Sequence, residues 1–240
     1  MPRDRHFPKR LGLLHDDSDL LVVSKEAGFL SCDIRGGTRP NALDALSDWL
    51  KRGVAKSRNR AWLVHRLDRD TSGVMVFAKS EDARNALQAS WDTVEKVYLA
   101  ALAGAPARKS GRLEDWLRED ENMFVHCCGR NAPGAKFSAL EYGTVSSSPQ
   151  RSLVRVRLLT GRKNQIRVQF AHAGNPVLGD SKYGRTAGIR APRLMLHALS
   201  ISFTHPRTGG RLAFEVPAPP EFRRMFPDAF HDEGGRPPRA

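Results

Sequence analysis

The sequence predicts an α+β fold built on a mixed, largely antiparallel sheet. Segments that read as strands outnumber those that read as helices, and the two do not alternate in the rhythm of a parallel βαβ sheet. The chain has 240 residues, 40% of them hydrophobic, in well-spaced apolar runs. That is enough for one substantial core, and it argues against the disorder that a formal net charge of +13 could otherwise signal. No internal repeat and no second domain is visible. The expected layout is a basic flexible arm over residues 1–13, one folded domain over residues 14–226, and a disordered tail over residues 227–240.

Taken in order, Leu20–Val23 is an apolar run closed by Gly28, which predicts a strand and the turn after it. Thr38–Gly53 carries helix punctuation: Pro40 in the first turn, an apolar stripe of Leu43, Leu46 and Leu50, and Gly53 as the stop. Lys51–Arg60 is basic and reads as a loop. Trp62–Val64 and Val74–Ala78 read as strands on either side of a charged segment. Ser80 is a candidate cap for a helix through Trp91, with Glu81 and Asp82 in the first turn, where acids complement the helix dipole. Strands are expected at Lys96–Leu102, Phe124–Cys127, Lys136–Thr144 and Ser152–Leu159. In the last of these, Arg155 and Arg157 alternate with Val154, Val156 and Leu158, giving one basic and one buried face. Asn164–Gly174 reads as a helix with Ile166 and Phe170 one turn apart. Ile201–Phe203 and Arg211–Val216 pair as a hairpin around Thr208–Gly210, and Pro217, Pro219 and Pro220 close the core.

The isoelectric point near 10.3 points to a polyanionic partner, nucleic acid ahead of a membrane surface. The charge is unevenly placed. Between Glu141 and Glu215 there is one acid, Asp180, against twelve bases from Arg151 to Arg211, so this half is expected to carry an exposed positive face. The three cysteines, Cys32 and the adjacent Cys127 and Cys128, have no zinc-site spacing, and reduced thiols in a cytoplasmic protein are expected. Met1–Arg10 is charged and lacks the apolar centre of a signal peptide, and no run approaches the length of a membrane span.

Two segments concentrate polar chemistry. His65–Gly73 reads H-R-L-D-R-D-T-S-G and sets Asp68 between Arg66 and Arg69 at the entrance to an apolar strand. Flanking guanidiniums favour the ionised carboxylate, a nucleophile or acceptor near neutral pH, although a salt-bridged surface turn has the same composition. Thr160–Arg167 reads T-G-R-K-N-Q-I-R and opens a helix. Arg162 and Lys163 there lie where backbone N–H groups also attract a phosphate, with Arg167 close by; the same charges oppose the helix dipole and call for compensation. Asn175–Gly184 is dense in turn formers, which explains most of it, while Lys182 and Tyr183 could face a nucleic acid. Tyr98 lies within a strand and Leu196 within an apolar run, and each fits a core role when read alone. His65, His172 and His197 show no metal-ligand spacing, and Asp68 and Asp70 are hemmed in by arginines.

Together these segments resemble the RluA-type RNA pseudouridine synthases. The resemblance is carried by H-R-L-D-R-D-T-S-G-V-M-V-F-A-K at His65–Lys79, E-K-V-Y-L-A around Tyr98, T-G-R-K-N-Q-I-R at Thr160–Arg167, G-N-P-V-L-G-D-S-K-Y-G at Gly174–Gly184 and L-M-L-H-A-L at Leu194–Leu199. It runs from about Leu14 to Phe222. It implies a pseudouridine synthase core with a long mixed sheet, flanking helices and a basic central cleft, in a short form with too few residues ahead of the core for an S4-type domain. It implies that Asp68 is the catalytic carboxylate, that Arg167 pairs with it and keeps it ionised, and that Tyr98 stacks on the base and helps to remove the C5 proton. Leu196 packs on the uracil and Arg66 enters the stack vacated by the target, with Arg162, Lys163 and Lys182 along the RNA.

The implied reaction isomerises a uridine flipped out of structured ribosomal or transfer RNA, needs no metal or cofactor, and is carried out by a monomer. The sequence departs from the family pattern at Asn164 and Gln169, where many relatives carry histidines, and at Lys25–Gly28, which lacks a proline often found after that lysine. Two other readings stand beside it. One is a non-catalytic RNA-binding or RNA-folding protein, which the intact Asp68, Tyr98 and Arg167 disfavour. The other is a metal-dependent nuclease using Asp68 and Asp70, which the lack of further clustered acids disfavours.

Overall fold

The computed structural model describes residues 7–33, 38–54, 56–184 and 190–234. In chain order the elements are β1 (Leu11–Asp16), β2 (Leu20–Lys25), α1 (Ala42–Lys51), β3 (Trp62–Leu63), β4 (Ser72–Ala78), α2 (Glu81–Ala89) and β5 (Glu95–Ala103). They continue with β6 (Ser110–Glu119), β7 (Val125–Cys128), β8 (Lys136–Ser147), β9 (Arg151–Leu158), α3 (Gln165–His172), β10 (Leu196–Thr204), β11 (Arg211–Glu215) and α4 (Pro220–Met225). Single 3-10 segments lie at Trp91–Thr93 and Pro227–Gly234. This is the expected α+β arrangement, with strands in the majority and helices set among them. The chain divides into two compact units, Met1–Val97 with Ala198–Val216, and Tyr98–His197 with Pro217–Ala240.

In the first unit the strands run in the order β1-β2-β4-β10, with β11 on β10 and β3 on β4. β4 is buried at every position, which is why its sequence is continuously apolar instead of alternating. Asp17 ties the β1–β2 turn together. One carboxylate oxygen accepts the backbone N–H groups of Asp19 (2.7 Å) and Leu20 (2.8 Å), and the other faces His15 (2.5 Å) and His205 (3.1 Å). Burial pushes the Asp17 carboxyl upward, but the hydrogen bonds from His15, Asp19 and Leu20 outweigh it and bring the carboxyl down to about 2. Helix α1 begins at Ala42, later than Pro40 suggested. Asn41 is its cap: Oδ1 accepts the Asp44 N–H (3.0 Å) while Nδ2 donates to the Asp44 carboxylate (2.7 Å), a reciprocal pair that satisfies the helix end.

In the second unit the order is β5-β9-β8-β6-β7. β8 pairs antiparallel with β9, and β6 pairs antiparallel with both β8 and β7. Val154 and Val156 face a core with Leu140, Ile166, Phe170 and Leu196, while Arg155 and Arg157 are exposed, as the alternation in β9 predicts. Two expectations need correction, and one strand, β6, was not foreseen. Leu11–Leu13, assigned to the flexible arm, belong to β1; residues 1–6 lie outside the described residues. β6 carries mostly polar and half-buried side chains and so gives no apolar signal of its own; β8 and β7 on either side define it. The prolines after β11 start α4, with Pro220 in its first turn, and Pro227–Gly234 of the expected tail is helical, Arg223 lying 5.4 Å from the Phe230 ring centroid.

Candidate active site

The charged segment His65–Asp70 leads into β4, and buried side chains fix its backbone. Ser31 Oγ donates to the Leu67 carbonyl (2.7 Å) and accepts the Leu67 N–H (3.0 Å). Lys25, only 2% exposed, donates from Nζ to the carbonyls of Glu26 (2.9 Å), Phe29 (2.7 Å) and Arg69 (3.1 Å). The Thr71 N–H closes the turn on the Asp68 carbonyl (3.1 Å). The residues just before and just after Asp68 are therefore both held by buried groups, so the carboxylate stands on a rigid base. His65 Nε2 accepts the Val76 N–H (3.0 Å), a role open only to the neutral ring; burial and the charge of Lys96 push its pKa down to about 3.

The two arginines beside Asp68 behave differently. Arg69 forms a bidentate pair with Asp70 (2.9 and 3.0 Å). Arg66 is exposed, and its charge partly offsets the burial that pushes the Cys32 thiol up. Gly73 has φ +120°, and a Cβ there would stand 2.1 Å from the Ala198 carbonyl oxygen, so the last residue of the motif is a backbone requirement.

In the second unit, Tyr98 in β5 packs on the apolar cluster that contains Leu196 and Ile166. Tyr98 and Leu196 are thus brought into one cluster, and α3 enters it through the residue next to Arg167. The Arg167 guanidinium donates from Nε and Nη2 to the two oxygens of Asp180 (2.7 and 2.8 Å) and lies 5.2 Å from the Tyr183 ring centroid. Asp180 also accepts the backbone N–H groups of Lys182 (2.9 Å) and Tyr183 (3.0 Å). Burial alone pushes this carboxyl upward; the hydrogen bond and charge of Arg167 and the two N–H groups more than offset it, and the pKa falls below the usual carboxylate range.

The start of α3 is built from side chains that the sequence did not single out. Asn164 has φ 54° and makes no side-chain cap; instead Gln165 Oε1 accepts the Arg162 N–H (2.9 Å) and the Thr160 hydroxyl (2.8 Å). Arg162 is exposed, its Nε donating to the Phe137 carbonyl (2.9 Å). Lys163 pairs with Glu119 and donates to the Met123 carbonyl (3.1 Å), where Lys182 also donates (2.9 Å). Lys163 and Lys182 are therefore brought together on the turn before β7. Glu119 and Asp180 supply the compensation that a basic helix start requires.

Two clusters among the described residues have donor atoms close enough to ligate a cation, Asp17–Asp19–His205 and Asp115–Cys127–His172. Neither contains a sequence-predicted site residue. In the first, Asp17 already faces His15 and Asp19 already pairs with Arg207; in the second, Gln169 donates to Asp115 (2.7 Å). The site residues that sequence reasoning missed are Lys25, Ser31 and Asp180. Asp180 left a signal as the one acid in a basic span and Lys25 as a position of the family pattern, while Ser31 left none.

The sequence profile of the RNA pseudouridylate synthase family matches residues 19–172. The dual-specificity RNA pseudouridine synthase RluA of Salmonella typhi is 31% identical over 216 residues, covering 87% of this chain and 93% of that one. The ribosomal large subunit pseudouridine synthase C of Vibrio vulnificus is 33% identical over 215 residues, covering 85% of this chain and 65% of that one. Among solved structures, human RNA pseudouridylate synthase domain containing 4 superimposes with a TM-score of 0.70 at 25% identity, covering 95% of both chains.

Proposed function

Because the chain belongs to the RNA pseudouridylate synthase family, whose members are isomerases, we propose that it converts uridine in structured ribosomal or transfer RNA to pseudouridine with Asp68 as the catalytic carboxylate. The net change breaks the bond between ribose C1′ and N1 of uracil and forms one between C1′ and C5. The C5 hydrogen leaves as a proton and N1 ends protonated. Atoms and electrons balance without an oxidant or reductant, so the reaction as proposed calls for no redox cofactor, and none of the roles assigned below is given to a metal.

Asp68 acts on the ribose side while the base detaches and turns. Arg167 favours the ionised carboxylate, Tyr98 stacks on the base and assists loss of the C5 proton, and Leu196 packs on the uracil. Arg66 occupies the stack that the target has left. The target has to be extruded, since a glycosidic bond within a stacked helix is out of reach, and loops and bulges of RNA unstack at low cost. Arg162, Lys163 and Lys182 follow the phosphates of the RNA. The protein works as a monomer in the cytoplasm.

The observation that carries the assignment to Asp68 is the clamp around it: Ser31 on Leu67 and Lys25 on Arg69 immobilise the peptide on both sides. A group that must meet one carbon of one nucleotide gains from such pre-organisation, and a solvated salt-bridged turn has no use for it. The test uses RNA tritiated at uridine C5, purified protein and a chelator. Label is expected to reach water, and Asp68→Ala to slow release by on the order of a thousandfold or more while RNA affinity stays within about tenfold, because phosphate contacts dominate binding. No release from any cellular RNA refutes the proposal, and release that the chelator abolishes points to a metal enzyme.

A further inference from the structure

The register of β6 and β7 brings a carboxylate and a thiol to one face of the sheet in the second unit. Leu117 pairs with Cys127, and Asp115, two residues before Leu117, points to the same side of β6. Cys127 and Asp115 are therefore diagonal neighbours, and the Cys127 thiol donates to the Asp115 carboxylate. Helix α3 packs on this face through Val168, which joins Leu117 and Val125 in a small core against Cys127. Gln169 and His172, three residues apart, share one side of α3. Gln169 Nε2 donates to Asp115 Oδ2 (2.7 Å), and His172 Nε2 stands 3.9 Å from Asp115 Oδ1.

None of these four side chains has a part in the isomerisation, and packing does not explain them. Gln169 is only 1% exposed, yet its Oε1 has no hydrogen-bond partner among the described residues. A buried amide oxygen without a donor costs stability and calls for an occupant. The amide cannot be turned over to relieve it, because Oε1 would then face the Asp115 carboxylate. An acceptor with lone pairs to spare thus lies beside a carboxylate, a sulfur and an imidazole. The cluster of Asp17, Asp19 and His205 differs, since Arg207 already supplies a cation to Asp19.

The donor types select the ion. Thiolate, imidazole and carboxylate together suit zinc, whereas calcium and magnesium take oxygen donors. With bonds of about 2.0 to 2.3 Å, a tetrahedral zinc ion keeps its ligand atoms roughly 3.3 to 3.6 Å apart. The donor atoms of Asp115, Cys127 and His172 all lie within 4.8 Å of one another. Closure therefore asks for a shift of about 1 Å, which the exposed ring of His172 can supply while leaving a path for entry.

We propose that Asp115, Cys127 and His172 bind a zinc ion, with Gln169 Oε1 facing its fourth position. The thiol proton of Cys127 passes to solvent as the sulfur ligates. The ion pins the end of α3 to β6 and β7. No spacing motif announces the set, because its members come from three separate elements. The proposal is read from metal binding and not from turnover, so it does not rest on the roles given to Asp68 and Arg167.

The test titrates the full chain, reduced and stripped of metal, with Co²⁺ and then with Zn²⁺. A thiolate ligand gives cobalt a charge-transfer band in the near ultraviolet, and a four-coordinate site gives it intense visible bands. Both are expected, and zinc is expected to displace the cobalt. Zinc at a hundredfold excess over Kd is expected to raise Tm by about 5 °C or more. Cys127→Ser is expected to abolish the charge-transfer band and weaken zinc binding by about 100-fold or more, and His172→Ala and Gln169→Met to weaken it by about 10-fold or more. Cys128→Ser is the control and is expected to bind as the unsubstituted chain does, because Cys128 Sγ lies instead against the Trp116 carbonyl (3.4 Å).

Absence of the charge-transfer band, or a band that survives Cys127→Ser, overturns the proposal. Zinc binding unaffected by both Cys127→Ser and His172→Ala marks an adventitious surface ion and overturns it too. So does full affinity in Gln169→Met, since the orphaned oxygen is what marks the site. If Cys127→Ser fails to fold, His172→Ala decides at an exposed position. Weakened binding with a native circular dichroism spectrum supports the proposal, and unchanged binding overturns it.

Discussion

A histidine that accepts a backbone N–H is committed to one protonation state, and His65 places that commitment at the foot of the Asp68 turn. Unfolded, its ring titrates near the ordinary value of about 6.5. Folded, burial and Lys96 hold it down to about 3. Between these values the unfolded chain binds a proton that the folded chain refuses, so stability is fully present above the unfolded pKa and is lost as pH falls toward the folded one. The expected slope is about 1 kcal/mol per pH unit below pH ~6. His65→Gln retains an acceptor for the Val76 N–H and is expected to flatten that slope in urea unfolding between pH 7 and 4.5; an unchanged slope refutes the assignment. At this scale the sequence was readable where a residue type is rare in its surroundings. Asp68 among arginines and Asp180 among bases could be picked out. The structural roles of Lys25 and Ser31 could not, because a buried ammonium bonded to carbonyls and a hydroxyl bonded to a distant peptide leave no local pattern.

Elements were readable in proportion to how much of their burial is written into their own sequence. β4 and β9 are an apolar run and a strict alternation, and both lie within a residue or two of where the sequence placed them. β6 has neither pattern, since its neighbours complete its pairing. The start of α1 went to Asn41 because a side chain that closes a reciprocal pair with Asp44 outweighs the preference of a proline for the first turn. Gly73 shows the same limit in a motif. Its place after Asp-Thr-Ser suggests chemistry, whereas the structure assigns it to the approach of β4 to the Ala198 backbone. Gly73→Ala places a methyl group 2.1 Å from a carbonyl oxygen at φ +120°. The expected loss of stability is about 3 kcal/mol or more, read as a lower urea midpoint, with loss of turnover following from displacement of the turn. A stable and fully active Gly73→Ala protein contradicts that account.

For the whole molecule, the one-sided charge of the sequence is partly cancelled by acids from outside the basic span. Arg157 pairs with Glu141, Lys163 with Glu119, Arg193 with Glu221, Arg207 with Asp19 and Arg211 with Glu95. A count along the chain therefore overstates the cations offered to RNA, and the salt dependence of binding measures what remains. Each phosphate neutralised by a protein cation lowers the slope of log affinity against log salt by about 0.9 on duplex and about 0.7 on single strands. Arg162 is exposed and held only by a backbone carbonyl among its described partners, so Arg162→Ala is expected to weaken RNA binding and make that slope shallower by about 1. Arg157 already spends its guanidinium on Glu141 at 2.5 and 3.1 Å. Removing it releases that acid as well, so Arg157→Ala is expected to change the slope by less than about half as much. Filter binding from 50 to 200 mM salt separates the two. An unchanged slope for Arg162→Ala removes it from the phosphate path, and equal changes for both variants mean that RNA displaces the internal carboxylate, so that the intramolecular pairs do not limit the basic surface.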